Sequence, residues 1–214
     1  MRYLLTGWLC LVGALAAAAP ECVPQEVQVG KTKFSLPVLK ELKWVSRETS
    51  WARSFFELNE HRAKDPGMNF TLVVVMVSPA DYAQASKDGH LARSDCTVVV
   101  PTAKLEARHN LKQFRSLVDG MMEDAGPSAK VTVQTKDENI RKVMAGLAEE
   151  TFLDRTDRSI QMLIGDGSHL IANAYVLVEG KVLIMNLRRP KQEAKELMAD
   201  MDAWVAEILK KTKA

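Results

Sequence analysis

Apolar segments separated by turn signals dominate the last third of the chain. They run from Ser159 to Ile164, from His169 to Val178 and from Lys181 to Arg188. Asp166-Gly167 and Glu179-Gly180 lie between them, and such dipeptides favour tight turns between antiparallel strands. The pattern therefore predicts a three-stranded antiparallel meander.

A long amphipathic helix is predicted directly after the meander. Pro190 can occupy its first turn, where a missing N–H costs nothing. The opposite side of this helix is charged, so we expect the apolar side to cover a sheet. The residues on the apolar side are Ala194, Leu197, Met198, Met201, Trp204, Val205, Ile208 and Leu209.

The first half of the chain contains two further strand signals. Glu26 to Val29 and Thr32 to Pro37 flank Gly30-Lys31, which predicts a hairpin. Phe70 to Val77 is apolar at both odd and even positions. A strand with this pattern is buried on both faces, so we expect it in the middle of the sheet.

Three helices are predicted between or after these strands. One begins near Thr49 or Ser50, with Trp51, Phe55 and Leu58 on its apolar side. The second has Ser78 as its N-cap, Pro79 at its first position and Gly89 at its exit. The third begins with the capping-box pair Asn110 and Gln113. Its apolar residues are Leu111, Phe114, Leu117, Val118 and Met121.

The remaining segments complete the predicted architecture. Asp95 to Pro101 and Ala129 to Thr135 are strand-like, and Thr135 with Glu138 caps a further helix. The mixed-charge run from Glu149 to Arg158 is typical of a solvated loop. The fold class is therefore α+β: a largely antiparallel sheet covered by amphipathic helices, with the meander and a long helix at the C-terminus.

Residues 1–19 have the three-part pattern of a secretory signal peptide. Arg2 supplies positive charge, an apolar run follows, and alanines occupy positions 16–19. We expect cleavage after Ala18 or Ala19, which leaves a single α+β domain over residues 20–214. An uncleaved anchor is the alternative, but the apolar run is shorter than the roughly 20 residues of a membrane span. Since Cys22 is misplaced for lipid attachment, the sequence predicts a soluble periplasmic or secreted protein.

Cys22 and Cys96 are the cysteines that remain after cleavage. In an oxidising compartment two cysteines most simply pair, so we predict a structural disulfide between them. The alternative is a redox-active pair. It has less support, because the residues do not form a Cys-x-x-Cys motif and neither has an activating neighbour in sequence.

Charge and composition exclude several classes of partner. The net charge is +2 for the whole chain, and both signs are interspersed. A nucleic-acid surface or a membrane-binding patch needs clustered basic residues, so neither is expected. The histidines lack metal-ligand spacing, and Met198 and Met201 lie on an apolar helix side, where methionine fills the core. The sequence therefore predicts no metal and no cofactor.

The order of several segments resembles a known group of proteins. Phe34-Ser35-Leu36-Pro37 is followed by Leu72 to Val77 with Ser78-Pro79-Ala80-Asp81, then by the strand ending at Pro101, and finally by Ala203-Trp204-Val205. This order resembles uncharacterised exported bacterial proteins of about this length. The meander and closing helix are also similar in layout to Mog1/PsbP-like domains. The resemblance implies an accessory or binding role and brings no catalytic residues.

Four polar residues of the meander are the candidate binding residues: His169, Asn173, Tyr175 and Asn186. Alternate residues of a strand share one face, so Asn173 and Tyr175 place polar groups on a partly apolar surface. An open sheet face or a pocket between sheet and helices would suit an unknown protein or small-molecule partner in the cell envelope. The alternative for Tyr175 is simple packing.

A periplasmic hydrolase that uses His169 with a distant acid is the rival hypothesis. Asp166 and Ser168 lie close to His169 in sequence. However, nucleophile and base normally face each other from separate elements, and the chain has no Gly-x-Ser-x-Gly motif. A non-enzymatic binding or accessory role is therefore the main prediction.

Overall fold

The structure is a computed structural model that describes residues 21–60, 69–124, 151–166 and 168–213. Within these residues the chain forms a seven-stranded sheet and a separate two-stranded hairpin, both antiparallel, with helices packed on them. The predicted α+β class is confirmed. The predicted leader and the segment expected from Ala129 to Leu147 lie outside the described residues.

The strands and helices are numbered in chain order. The strands are β1 (Cys22–Val29), β2 (Thr32–Leu39), β3 (Lys43–Trp44), β4 (Phe70–Val77), β5 (Cys96–Pro101), β6 (Thr151–Arg155), β7 (Ser159–Asp166), β8 (His169–Val178) and β9 (Lys181–Pro190). The helices are α1 (Arg53–Glu60), α2 (Pro79–Asp88), α3 (Leu111–Asp124) and α4 (Ala194–Lys211).

The large sheet has the strand order β3-β4-β5-β9-β8-β7-β6. The predicted meander is β7, β8 and β9, and β9 lies at the centre of the sheet. β4 is buried on both faces from Val74 to Val77, as predicted, but it lies second from the edge and not at the centre of the sheet, next to the two-residue strand β3. β6 was not predicted, since its sequence is part of a mixed-charge run that favours a loop. Such charge is tolerated because β6 is an edge strand.

One side of the sheet, here called the covered face, packs against α4 and the β1–β2 hairpin. Leu183, Met185 and Leu187 of β9 point to this side and are at most 2% exposed. Trp204 of α4 is fully buried, and its Nε1 donates a hydrogen bond to the carbonyl oxygen of Pro37 at 2.6 Å. The indole thus links the helix directly to the hairpin.

The apolar side of α4 is buried as predicted, with Leu209 partly buried. The start of the helix differs from the prediction, because Pro190 ends β9 and a 3-10 turn at Lys191–Glu193 comes before α4. At the other end, the guanidinium of Arg158 donates hydrogen bonds to the carbonyl oxygens of Leu209 and Thr212, at 3.2 and 3.0 Å. These bonds satisfy carbonyl groups that a helix end leaves without partners.

The opposite side of the sheet, here called the cleft face, bears the alternate residues of β9 and packs against the other helices. α1 and α2 cover it next to β4, through a cluster that includes Phe55 and Phe56. α3 covers it next to β7, through Phe114 and Val118.

The apolar side of α1 differs from the prediction at one residue. Leu58 is 62% exposed, and Phe56 is buried instead. A 3-10 turn at Ser50–Ala52 leads into α1 with fewer residues per turn, which shifts the apolar side by one position.

The predicted helix caps of α2 and α3 are confirmed. Ser78 Oγ accepts a hydrogen bond from the backbone N–H of Asp81 at 3.0 Å, and Gly89 ends α2 with a φ of 77°. Asn110 and Gln113 exchange reciprocal side-chain-to-backbone bonds of 2.9 Å. In the described part of the chain, no helix combines the length and the apolar character that crossing a membrane requires.

Candidate binding cleft

A cleft of about 570 Å³ opens on the cleft face, over β5, β9 and β8. Phe55 and Asn59 of α1 form one side, and Ala92 to Asp95, between α2 and β5, close one end. Sites for small organic ligands have volumes of about 300–1,000 Å³ and combine apolar walls with a few polar groups. The size and position of this cleft therefore fit a small ligand.

A row of polar side chains crosses the floor of the cleft. Strand register places Thr97 beside Asn186, and Asn186 beside Asn173. Asn186 Nδ2 donates a hydrogen bond to Thr97 Oγ1 at 3.0 Å. Asn173 is only 8% exposed, and its side-chain amide makes no hydrogen bond to any described residue. The floor thus contains a nearly buried amide whose N–H groups and carbonyl oxygen form no hydrogen bond with the described residues.

An apolar row lies next to this polar row, towards the end of the cleft where β4 begins. Val99 of β5 pairs with Ile184 of β9, and Ile184 pairs with Tyr175 of β8. Phe70, at the start of β4, also lines the cleft and is 37% exposed. This end of the cleft is therefore an apolar surface that remains partly open to solvent.

Charged side chains gather at the other end of the cleft. Arg188, Arg93 and Asp95 all line it. Asp95 Oδ2 accepts a hydrogen bond from the backbone N–H of Ser78 at 2.6 Å, and Arg93 lies 3.4 Å from the carboxylate of Asp81. Charges of both signs thus meet at this end, because the guanidinium groups of Arg93 and Arg188 lie near the carboxylates of Asp81 and Asp95.

The structure brings three of the four predicted binding residues together. Asn173, Tyr175 and Asn186 line the cleft, whereas His169 does not. His169 points to the same side of β8 but lies four residues from Asn173, which is about 13 Å along a strand. The separation excludes His169 from the floor of the cleft.

Within the described residues, the ring of His169 makes one side-chain hydrogen bond. Its Nδ1 lies 3.0 Å from the hydroxyl oxygen of Ser168. A histidine-dependent hydrolase also needs an orienting acid and donors that stabilise an oxyanion. Among the described side chains, no carboxylate bonds to the His169 ring. The contact with Ser168 is thus an interaction between neighbours in a turn.

Sequence reasoning missed Thr97, Arg93 and Arg188. The sequence of β9 could have indicated Arg188. Alternate residues of a strand share one face, and Ile184, Asn186 and Arg188 are alternate residues that line the cleft. The contribution of Thr97 depends on the β5–β9 pairing, which joins residues 89 positions apart. A single sequence does not reveal that pairing.

Cys22 and Cys96 pack in or against the same apolar cluster on the covered face, and no disulfide joins them in the structure. Burial raises the pKa of the Cys22 thiol to about 11, with additional effects from Glu207 and Glu41. Burial also raises the pKa of Cys96 well above its ordinary value. A free thiol at either position would therefore be protonated at neutral pH. The disulfide stays a prediction.

The described residues contain no group of three or more histidine, cysteine or acidic side chains placed to hold a metal ion. Met198 and Met201 are buried in the core beneath α4. Comparison with known proteins adds no candidate chemistry: no model of a protein family matches the chain, and no curated protein has a similar sequence. The cleft itself is therefore the feature of the chain that points to a function.

Proposed function

We propose that the protein is an exported, non-enzymatic binding or accessory domain that holds a small organic molecule in this cleft. The main support is the side-chain amide of Asn173, which lies nearly buried on the cleft floor without a described hydrogen-bond partner. The secretory pattern of residues 1–19 and the resemblance in layout to Mog1/PsbP-like domains support the export and the accessory role.

The side-chain amide of Asn173 offers a ligand both a donor and an acceptor. Its nitrogen and oxygen are not among the fully buried polar atoms that lack a hydrogen bond in the described residues, so each bond to a ligand should contribute an ordinary net gain of about 0.5–1.5 kcal/mol. Asn186 lies directly beside it and is already oriented by Thr97, so two amides can fix one polar group of a ligand.

Native mass spectrometry of the mature protein, isolated without denaturation from a bacterial periplasm, tests the proposal. We expect a fraction of the protein to carry a bound small molecule of defined mass. Replacing Asn173 with leucine keeps the side-chain size but removes both hydrogen-bonding groups. This variant should lose at least about tenfold in affinity for the recovered molecule, which corresponds to 1.4 kcal/mol.

Gln192→Leu is the matched control, because it removes an exposed amide outside the cleft. It should bind the recovered molecule as the wild type does. Protein that carries no molecule, or an Asn173→Leu variant that binds unchanged, would contradict the proposal. If the protein instead hydrolyses the molecule and His169→Ala stops the reaction, the hydrolase hypothesis replaces it.

A further inference from the structure

Asn173 offers a ligand two hydrogen-bonding groups on one edge of its side chain. An asparagine amide holds a carbonyl oxygen and an N–H group side by side in one plane. In the described part of the chain neither group has a hydrogen-bond partner, and neither atom is among the fully buried unpaired ones. Since Asn173 is only 8% exposed, its small accessible surface includes both polar atoms. The cleft floor thus presents a donor and an acceptor together.

Asn186 supplies a second acceptor beside this pair. It lies next to Asn173 in the β8–β9 register, and its Nδ2 donates to Thr97 Oγ1 at 3.0 Å. Because the amide is planar, this bond turns the carbonyl oxygen of Asn186 away from Thr97. The described residues supply no donor to that oxygen. A ligand NH₂ group can therefore donate one hydrogen to each of the two asparagines.

An apolar row lies next to the two amides. Val99, Ile184 and Tyr175 form it across three strands. Each lies two positions from a residue of the polar row, which is about 6.6 Å along a strand. Phe70, which is 37% exposed, lines the same end. A hydrocarbon group over this row gains roughly 25 cal/mol per Å² of apolar area removed from water, so the apolar part of a ligand is favoured here.

The charges at the opposite end give no preference for an ionic ligand. Arg93 lies 3.4 Å from the carboxylate of Asp81, and Asp95 lines the cleft at the same end. Arg188 already interacts within the protein, and its partner across the β8–β9 ladder is the apolar Ile171. An ionised group in the cleft would lose hydration, whereas the charges present already compensate one another. The cleft therefore favours an uncharged molecule.

We infer that the cleft binds an uncharged primary carboxamide with an apolar body. The carbonyl oxygen of the ligand accepts from Asn173 Nδ2, one N–H donates to Asn173 Oδ1, and the other donates to Asn186 Oδ1. The apolar body lies over Val99, Ile184 and Tyr175. Asparagine recognises a neighbouring donor and acceptor in the same bidentate way on the edge of adenine. This inference rests on the proposed function, because it names the ligand class of the same cleft.

NMR titration with phenylacetamide, phenylacetate and N,N-dimethylphenylacetamide tests the ligand class, because the three probes share a phenylmethyl group. Dimethylation removes both N–H donors, and phenylacetate has a charge and no donor. We expect phenylacetamide to bind at least about tenfold more tightly than either of the others. An affinity for phenylacetate or for the dimethyl amide that equals or exceeds that for phenylacetamide would overturn the inference.

Asn173→Asp tests the pairing itself, because it keeps the shape of the side chain and replaces the donor with an acceptor. Phenylacetamidine is a cation with two donors and suits a carboxylate. At about pH 8, where a carboxyl group is ordinarily ionised, the wild type should prefer phenylacetamide and this variant should prefer phenylacetamidine. A variant that keeps the preference for phenylacetamide, with a thermal transition like that of the wild type, would overturn the inference.

Gln192→Glu is the matched control, since it adds the same charge at an exposed residue outside the cleft. It should keep the wild-type order of affinities. If Asn173→Asp does not fold, the three probes on the wild type still decide the ligand class. Phe70→Ser tests the position of the apolar body, and it should weaken phenylacetamide and its dimethyl derivative alike. Unchanged affinities in this variant would contradict that position.

The remaining outcomes separate this inference from the proposed function. If all the probes bind equally and Asn173→Leu weakens each of them, the cleft is a binding site but the carboxamide class is wrong. If no probe binds while the isolated protein carries a molecule whose affinity depends on Asn173, the inference alone fails. If no probe binds and no molecule is recovered, both fail.

Discussion

The two faces of the sheet are made by the same strands but are covered in different ways. On β9, Leu183 and Met185 point to the covered face and are fully buried. The residues that follow them, Ile184 and Asn186, point to the cleft. The covered face supplies a continuous apolar core, whereas the cleft face places its polar residues where the cover is incomplete. A strand that is anchored on one side can therefore position binding groups on the other.

This difference has a physical basis in the covering elements. α4 and the hairpin cross the covered face and are joined by the hydrogen bond from Trp204 to Pro37. The cleft face is covered by separate helices, in two apolar clusters that both contact Tyr175. Binding sites benefit from groups that are held rigidly before the ligand arrives, and the covered face provides that support.

The largest expected effect comes from removing the link on the covered face. Trp204→Ala should lower the free energy of unfolding by about 3–5 kcal/mol, because it deletes a fully buried side chain and leaves its cavity behind. Guanidinium denaturation followed by circular dichroism measures this change. Leu58→Ala, at an exposed position, should stay within about 0.5 kcal/mol of the wild type. Similar losses of unfolding free energy in both variants would contradict the anchoring role of Trp204 on the covered face.

The predicted disulfide would reinforce the covered face further. A bond between Cys22 and Cys96 closes a loop of about 75 residues, and the chain-entropy model gives it about 4 kcal/mol. Thiol titration of the denatured mature protein without reductant should therefore detect no more than a trace of thiol. With the bond present, reductant should lower the free energy of unfolding, whereas Cys22→Ser should be insensitive to it. Two thiols per mature chain would show that the disulfide is absent.

Leu183 and Ile184 provide the sharpest comparison, because they are neighbours on one strand with opposite orientations. Leu→Ala and Ile→Ala substitutions in cores cost about 2–5 kcal/mol, and the cost rises with the cavity that remains. Leu183→Ala should fall near the top of this range, since its surroundings are closed. Ile184→Ala should fall near the bottom, because its side chain borders an open cleft. Urea denaturation of both variants measures the difference, and equal losses would contradict it.

The smallest expected effect concerns the attachment of α3, which covers part of the cleft face. His109 comes just before this helix, and its backbone N–H donates to the carbonyl oxygen of Gly180 at 2.7 Å. Burial lowers the pKa of His109 from 6.5, and the charges of Lys104 and Lys181 lower it further. The unfolded chain therefore binds a proton more readily than the folded protein between these two pKa values. Stability is lost as the pH falls below about 6.5.

Urea denaturation at about pH 7.5 and about pH 5.5 measures this dependence. His109→Gln should reduce the difference between the two free energies of unfolding, because it removes the shifted group. His90→Gln, at an exposed histidine, should leave the difference unchanged. An identical pH dependence in wild type and His109→Gln would mean that other groups cause it.

Local patterns predicted most of the elements. The meander, the hairpin and the apolar side of α4 follow from alternation, helical spacing and turn residues, all of which act over a few positions. The caps at Ser78 and Asn110 follow from short motifs for the same reason. β6 was missed because an edge strand tolerates charge, and the centre of the sheet was misplaced because strand order depends on contacts between distant segments.

The candidate site was predictable only in part. Asn173 and Tyr175 share a strand face, so their proximity follows from a period of two residues. Their association with Thr97 requires the pairing of β5 with β9, which no local pattern encodes. The chemistry of its side chain favours His169 as a site residue, but its distance from Asn173 along β8 separates it from the cleft. Position along a strand thus decided membership of the site, and residue type alone did not.

The buried lysine of β9 offers a chemical readout of motion in the intact protein. Lys181 is 2% exposed, and its Nζ donates hydrogen bonds to the carbonyl oxygens of Leu105 and Ala107, at 2.5 and 3.0 Å. An acylating reagent such as acetic anhydride can reach this amine only when the segment before α3 lifts away. The rate of Lys181 acetylation, followed by peptide mass spectrometry, would therefore time the opening of that segment while exposed lysines serve as internal standards.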